Sequence, residues 1–155
     1  ENIKVKDLYI LINENHKIGP IDFETSCDIV GIKGDNGSGK TVLAKILANI
    51  APFSFEGIIE KPKLVYLGLH NQPEHKKNLS SAFMDLINLS LEKDYQMLIL
   101  DEILDIFSTT NVKKTIESIK SKKKKVIIIS HNEEVLKYAD EIFTIEENFS
   151  IKKTK

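Results

Sequence analysis

Continuous apolar runs alternate along this chain with segments whose apolar residues recur at helical spacing. The apolar runs are residues 64–67, 97–100 and 126–129, and such runs are typical of strands that are covered on both faces. Helical spacing marks residues 41–50, 80–91 and 111–120. Because parallel neighbours need crossover connections, this alternation predicts an α/β fold with a largely parallel sheet.

The two ends of the chain complete the predicted fold. Residues 3–12 are rich in β-branched residues and predict a strand, and residues 27–32 predict a short strand that leads into a glycine-rich loop. Near the other end we predict a helix at 133–138, a strand at 142–145, a turn at Glu147-Asn148 and a last short strand. The expectation is one domain over residues 1–155, with three layers and antiparallel strands at an edge.

Charge, cysteine content and the length of the apolar runs indicate which classes of protein this chain does not resemble. Lys and Arg total 22 and Asp and Glu total 23, a balance that predicts no bulk affinity for nucleic acid or acidic membranes. The lysine run at 122–125 is read as a solvated turn, with a basic patch as the alternative. A single cysteine, Cys27, excludes an internal disulfide and suits a reducing cytosol. No apolar run approaches the roughly 18–20 residues of a membrane span, and the start lacks a signal-peptide pattern.

The strongest motif is a glycine-rich loop between a predicted strand and a predicted helix. It matches the pattern G-x-x-x-x-G-K-[ST]. Its residues are Gly34, Asp35, Asn36, Gly37, Ser38, Gly39, Lys40 and Thr41. The glycines let the backbone turn its N–H groups towards an anion, and the helix N-terminus adds partial positive charge. In this motif the lysine reaches the β- and γ-phosphates and the threonine hydroxyl ligates Mg²⁺, which predicts binding of ATP with Mg²⁺.

Two further apolar runs end in polar pairs. Asp101 and Glu102 follow the run at 97–100, and Ser130 and His131 follow the run at 126–129. Beside a phosphate loop, Asp101 would hold Mg²⁺ and Glu102 would orient or deprotonate the attacking water. His131 would sense or stabilise the γ-phosphate, because α/β sheets bind ligands outside the carboxyl ends of their strands. A structural histidine is the alternative reading.

The order of these motifs resembles the ABC ATPases, the nucleotide-binding domains of ABC transporters. The resemblance rests on residues 36–41, 100–102, 130–131 and 139–142 and extends over nearly the whole chain. It implies that Glu102 is the catalytic glutamate and His131 the switch histidine. It also implies a glutamine that touches Mg²⁺ and the attacking water, for which Gln72 is the candidate and His70 the alternative.

The chain departs from this family in three places. The segment after Gln72 is too short for the family's helical subdomain, so we expect a truncated one around residues 73–91. The signature motif is not intact, and residues 79–83 are either a degenerate signature or the ordinary start of a crossover helix. Ser108 stands where the family's dimer loop has an aspartate. In the family two subunits sandwich ATP, so this chain's ability to complete a partner's half of the site is in question.

Three functions remain open at this point. The leading hypothesis is the ATP-binding subunit of an ABC-type transporter, a probable ATPase that pairs with a second nucleotide-binding subunit and drives a membrane permease. Such a subunit would be cytoplasmic, or peripheral at the inner face of the membrane through the permease. The alternative is a nucleotide-binding regulatory or assembly protein with little or no hydrolysis. A small P-loop kinase is the third, but no arginine-bearing lid is evident.

Overall fold

The described part of the chain forms two β-sheets and four α-helices. The computed structural model describes residues 2–35, 39–69, 78–146 and 151–155. The strands are β1 (Ile3–Asn13), β2 (His16–Thr25), β3 (Ile29–Gly34), β4 (Ser54–Glu60), β5 (Leu64–Gly68), β6 (Met97–Asp101), β7 (Lys125–Ile129), β8 (Glu141–Ile145) and β9 (Ile151–Lys153). The helices are α1 (Lys40–Leu47), α2 (Leu79–Leu91), α3 (Thr109–Ser121) and α4 (Glu133–Leu136), with a 3₁₀ turn at Leu104–Ile106.

The larger sheet has six strands in the order β5-β6-β7-β3-β8-β9. The first five run parallel and β9 pairs antiparallel with β8, so the predicted mostly parallel α/β sheet with an antiparallel edge is confirmed. Along β5, β6 and β7 the register places Gly68 beside Asp101 and Asp101 beside Ile129. The carboxyl ends of these strands therefore meet at one edge.

Both faces of the parallel sheet are buried, which gives three layers. Ile127 and Ile129 pack on the side of α1 and of strands β1 and β2. Their neighbours Val126 and Ile128 pack on the side of α2, α3 and α4. Alternate residues of one strand thus enter two different cores, and a strand of this kind has to be apolar at every position.

The smaller sheet has three antiparallel strands in the order β2-β1-β4. The strand predicted at 3–12 is β1, but neither β2 nor β4 was predicted. Strand β2 contains Gly19 and Pro20, which are uncommon in strands, and β4 is exposed at every position except Ile59. Gly57 in β4 adopts φ +118, where an added Cβ would lie 2.4 Å from the carbonyl oxygen of Asp7. Strands without a regular apolar pattern give little signal in a sequence.

Several element boundaries differ from those predicted. Helix α1 ends at Leu47 rather than residue 50, because Asn49 adopts φ +60 in the left-handed region that terminates helices. Helix α4 ends at Leu136 rather than residue 138, and β3 begins at Ile29 rather than residue 27. The predicted turn at Glu147-Asn148 lies outside the described residues. No helix in the described part of the chain has both the length and the apolar character of a membrane span.

Helix α2 is the crossover between β5 and β6, apart from residues 70–77, which lie outside the described part. Asn78 caps it, since its side-chain oxygen accepts a hydrogen bond from the Ser80 N–H at 2.9 Å. Phe83 is fully buried against the sheet. The truncated helical subdomain around residues 73–91 stays a prediction.

Phe83→Ala should lower the free energy of unfolding by about 3–5 kcal/mol, because it removes a fully buried aromatic ring and leaves a cavity. Urea denaturation would measure the loss. The control is Leu89→Ala on the same helix, where the leucine is 56% exposed and the expected change is within about 0.5 kcal/mol. Similar stabilities for the two variants would place Phe83 outside the core.

Candidate functional site

The glycine-rich motif joins β3 to α1. Gly39 is the N-cap of α1 and adopts φ +94, a conformation that L side chains rarely take. The Lys40 side chain is buried, and its ammonium donates to the carbonyl oxygens of Gly34 and, at 3.1 Å, of Asp35. Of the remaining motif residues Asn36, Gly37 and Ser38 lie outside the described part. The lysine thus holds the first residues of the loop against the first turn of the helix.

The charge of Lys40 is poorly solvated. Burial lowers the pKa of its ammonium from the ordinary value, and the charges of Glu102, Asp101 and Asp35 oppose that shift only in part. An added anion beside the ammonium would act in the same direction as these carboxylates and favour the charged form. Lys40 is therefore a desolvated cation within reach of the charges of three carboxylates.

One carboxylate links the start of α1 to the end of β6. The Thr41 hydroxyl donates to Oδ2 of Asp101 at 2.7 Å, and the Tyr66 hydroxyl donates to the same oxygen at 2.5 Å. Asp101 is buried. Thr41 and Asp101 line a small open cleft together with Leu69 and Glu102. Two motifs that are far apart in the sequence are thereby joined in one site.

Glu102 and His131 also lie together. The Nε2 atom of His131 is 3.6 Å from Oε1 of Glu102, and both side chains are partly exposed. Glu102 adopts φ +62, which is uncommon for a residue with a side chain. Its N–H donates to the carbonyl oxygen of Ile129 at 2.9 Å, across to β7. Such conformations cost about 1–3 kcal/mol and cluster at functional sites.

A second polar contact holds the segment that carries His131. The Ser130 hydroxyl, fully buried, donates to Oδ1 of Asp105 in the 3₁₀ turn and accepts from the Asn132 N–H at 2.9 Å. The turn that follows Glu102 is therefore tied to the turn that contains His131. The backbone of Glu102 is held by its hydrogen bond to Ile129, and the backbone beside His131 is held by the contacts of Ser130.

The oxygen donors present suit Mg²⁺. A hydroxyl and a carboxylate 2.7 Å apart are hard ligands, here from Thr41 and Asp101. Mg²⁺ is commonly held by one or two carboxylates together with phosphate oxygens and waters. The hydroxyl of Thr41 and the carboxylate of Asp101 therefore fit Mg²⁺ as ligands.

The structure does not describe two further predicted site residues, and it gives Phe83 and Ser108 structural roles. Gln72 and its alternative His70 lie outside the described residues. Phe83, at the end of the doubtful signature segment, is in the core and offers no polar group at the surface. Ser108 caps α3, since its hydroxyl oxygen accepts from the Asn111 N–H at 3.1 Å.

The lysine run lies at the opposite end of the sheet from this site, before β7. Lys122 pairs with Glu92 at 2.7 Å, Lys124 donates to the Tyr95 carbonyl at 2.6 Å, and Lys125 donates to the Ser26 carbonyl at 2.9 Å. These contacts anchor a turn between α3 and β7.

Comparison with solved structures finds the same architecture elsewhere. A bacterial Atm1-family ABC exporter with ATP bound is similar at a TM-score of 0.70 and 13% sequence identity. The likeness shows the fold. It covers 97% of this chain, which spans 38% of the exporter chain. No protein-family model and no curated protein sequence matches the chain.

Sequence reasoning missed Tyr66, Asp105 and the bracing role of Ser130. A signal existed for the first, because a tyrosine inside an apolar run needs a partner for its hydroxyl when buried. Nothing in the sequence pairs Asp105 with Ser130, since their contact depends on how two separate turns meet.

Ser130→Ala should lower the free energy of unfolding by about 1–3 kcal/mol, because the Asp105 carboxylate and the Asn132 N–H lose a partner. Urea denaturation would measure this. Ser121→Ala is the matched control, since the exposed Ser121 hydroxyl donates to the Ser118 carbonyl at the surface, and the expected change is within about 0.5 kcal/mol. Equal effects would show that the buried contact does not brace the site.

Proposed function

We propose that this chain is an ATP-binding domain of the ABC type that binds ATP with Mg²⁺ and hydrolyses it. The observation that carries the proposal is the hydrogen bond between Thr41 and Asp101, at 2.7 Å. It brings the phosphate-loop motif and the acidic strand end into one site. Glu102 and His131 stand beside it.

Each residue has a defined task in this proposal. The phosphates of ATP lie at the N-terminus of α1, where backbone N–H groups and Lys40 receive them. Thr41 and Asp101 would hold Mg²⁺, and the metal would neutralise charge on the phosphates. Gln72 would be a further contact to the metal and the water.

Hydrolysis depends on the Glu102–His131 pair. Glu102 accepts a hydrogen bond from the attacking water and orients it or takes its proton. His131, whose Nε2 atom lies 3.6 Å from Oε1 of Glu102, would contact the γ-phosphate. The left-handed backbone of Glu102 and the contact between Ser130 and Asp105 hold the carboxylate and the imidazole in place. Positioning of this kind accounts for most of the catalysis in such sites.

Dimerisation and a permease are the further parts of the proposal. The ABC exporter similar to this chain is much longer, since the chain spans 38% of it. We expect a second nucleotide-binding subunit to close the site and a membrane permease to use the energy of hydrolysis. A subunit of that kind would work in the cytoplasm at the inner face of the membrane.

A slowly hydrolysing regulatory or assembly protein is the second candidate, and two observations favour it. Phe83 is buried where a signature would offer a polar side chain, and Ser108 is engaged as a helix cap. A site that lacks such donors loses electrostatic stabilisation of the transition state, by several kcal/mol for each lost contact. Turnover of the purified chain decides between the two.

Lys40→Ala should weaken binding of ATP with Mg²⁺ by about a hundredfold, because charge-assisted hydrogen bonds to the phosphates are lost. Isothermal titration calorimetry would measure the affinity, with circular dichroism to confirm folding. Lys45→Ala changes a lysine on the same helix away from the loop and should bind as the wild type does. Unchanged affinity in a folded Lys40→Ala variant would refute the phosphate site.

Glu102→Gln should keep ATP affinity and slow turnover by about 10²–10⁴-fold, because it removes the base and keeps the shape. Phosphate release, followed over a range of protein concentrations, would measure turnover. Glu117→Gln, at an exposed position of α3, is the control. Full turnover in Glu102→Gln would remove Glu102 from the mechanism. Brisk turnover that rises more steeply than protein concentration would favour a working homodimer over the regulatory candidate.

A further inference from the structure

Tyr66 is a buried tyrosine that reaches the candidate site from a neighbouring strand. It lies on β5 opposite Ile99 of β6, and Asp101 is two residues further along β6 on the same face. The Tyr66 hydroxyl donates to Oδ2 of Asp101 at 2.5 Å, while the residue is 6% exposed. The ring therefore runs along the sheet towards the carboxyl ends of the strands.

The same carboxylate oxygen accepts two hydrogen bonds. Thr41 donates to Oδ2 at 2.7 Å from the side of α1, and Tyr66 donates from the side of β5. A phenol carries its proton at neutral pH and is therefore a donor here. Donors from two elements restrict rotation of the Asp101 carboxylate.

We infer that Tyr66 is a positioning residue for the magnesium–nucleotide site and acts through the carboxylate of Asp101. The inference rests on the proposed function. Carboxylates that ligate metals are themselves held by hydrogen bonds, and loss of such a partner commonly costs about 10–100-fold in metal affinity. A phenylalanine would fill the same space in the core, so the contribution assigned to Tyr66 lies in its hydroxyl.

Tyr66→Phe tests this assignment, because it removes one oxygen atom and keeps the ring. The affinity for ATP is measured by calorimetry on the purified chain, once in excess Mg²⁺ and once in excess EDTA. We expect binding with Mg²⁺ to weaken by about tenfold and binding in EDTA to stay as in the wild type. At a fixed ATP concentration, half of the Mg²⁺-dependent gain in ATP binding should require more Mg²⁺ in Tyr66→Phe than in the wild type. Tyr138→Phe, at a half-buried tyrosine on the other side of the sheet, should change none of these quantities.

A merely structural role for Tyr66 gives a different result. Equal losses with Mg²⁺ and in EDTA, or no loss in either, would overturn the inference. The rise in melting temperature on adding Mg²⁺ to the ATP complex is a second measurement, taken against each variant's own baseline, so that a less stable Tyr66→Phe remains informative. That rise should be smaller in Tyr66→Phe than in the wild type, and an equal rise would overturn the inference. If the wild type itself binds ATP without regard to Mg²⁺, the proposed function fails and the inference fails with it.

Discussion

The parallel register of β5, β6 and β7 is the constraint on which the candidate site depends. It places Gly68, Asp101 and Ile129 side by side. Each strand that ends here delivers its next residues to the same edge, which is how Glu102 and His131 come to lie 3.6 Å apart. A shift of register on any of these strands would move a whole set of side chains to the opposite face.

Three buried polar residues lie at this edge. They are Lys40, Asp101 and Ser130, and each has a partner from another element or from the glycine-rich loop. Loss of one member leaves the other desolvated without a partner, which costs more than the hydrogen bond gained in folding. The residues proposed for chemistry therefore also contribute to stability, and conservative substitutions are the informative ones.

The sequence predicted the parallel core better than the surroundings of the site. Apolar runs such as 97–100 and 126–129 are buried on both faces, so every residue in them is apolar and the strands can be predicted from the sequence. Strand β4 is exposed at almost every position, so its sequence has no apolar pattern from which the strand could be predicted. The Tyr66–Asp101 and Asp105–Ser130 contacts join residues that no local spacing relates. The left-handed conformation of Glu102 is set by its bond to Ile129, which is a tertiary cause.

Strand β3, which leads into the glycine-rich loop, lies between β7 and β8, and both of these strands follow it by many residues in the chain. During synthesis on the ribosome, β3 emerges long before either neighbour. Its two edges stay unpaired until then, and unpaired apolar strands are prone to aggregation. Contacts this distant in sequence also slow folding, because the loops between them must close first. The candidate site at the end of β3 is therefore completed only after β7, which is followed by Ser130 and His131, has paired with β3.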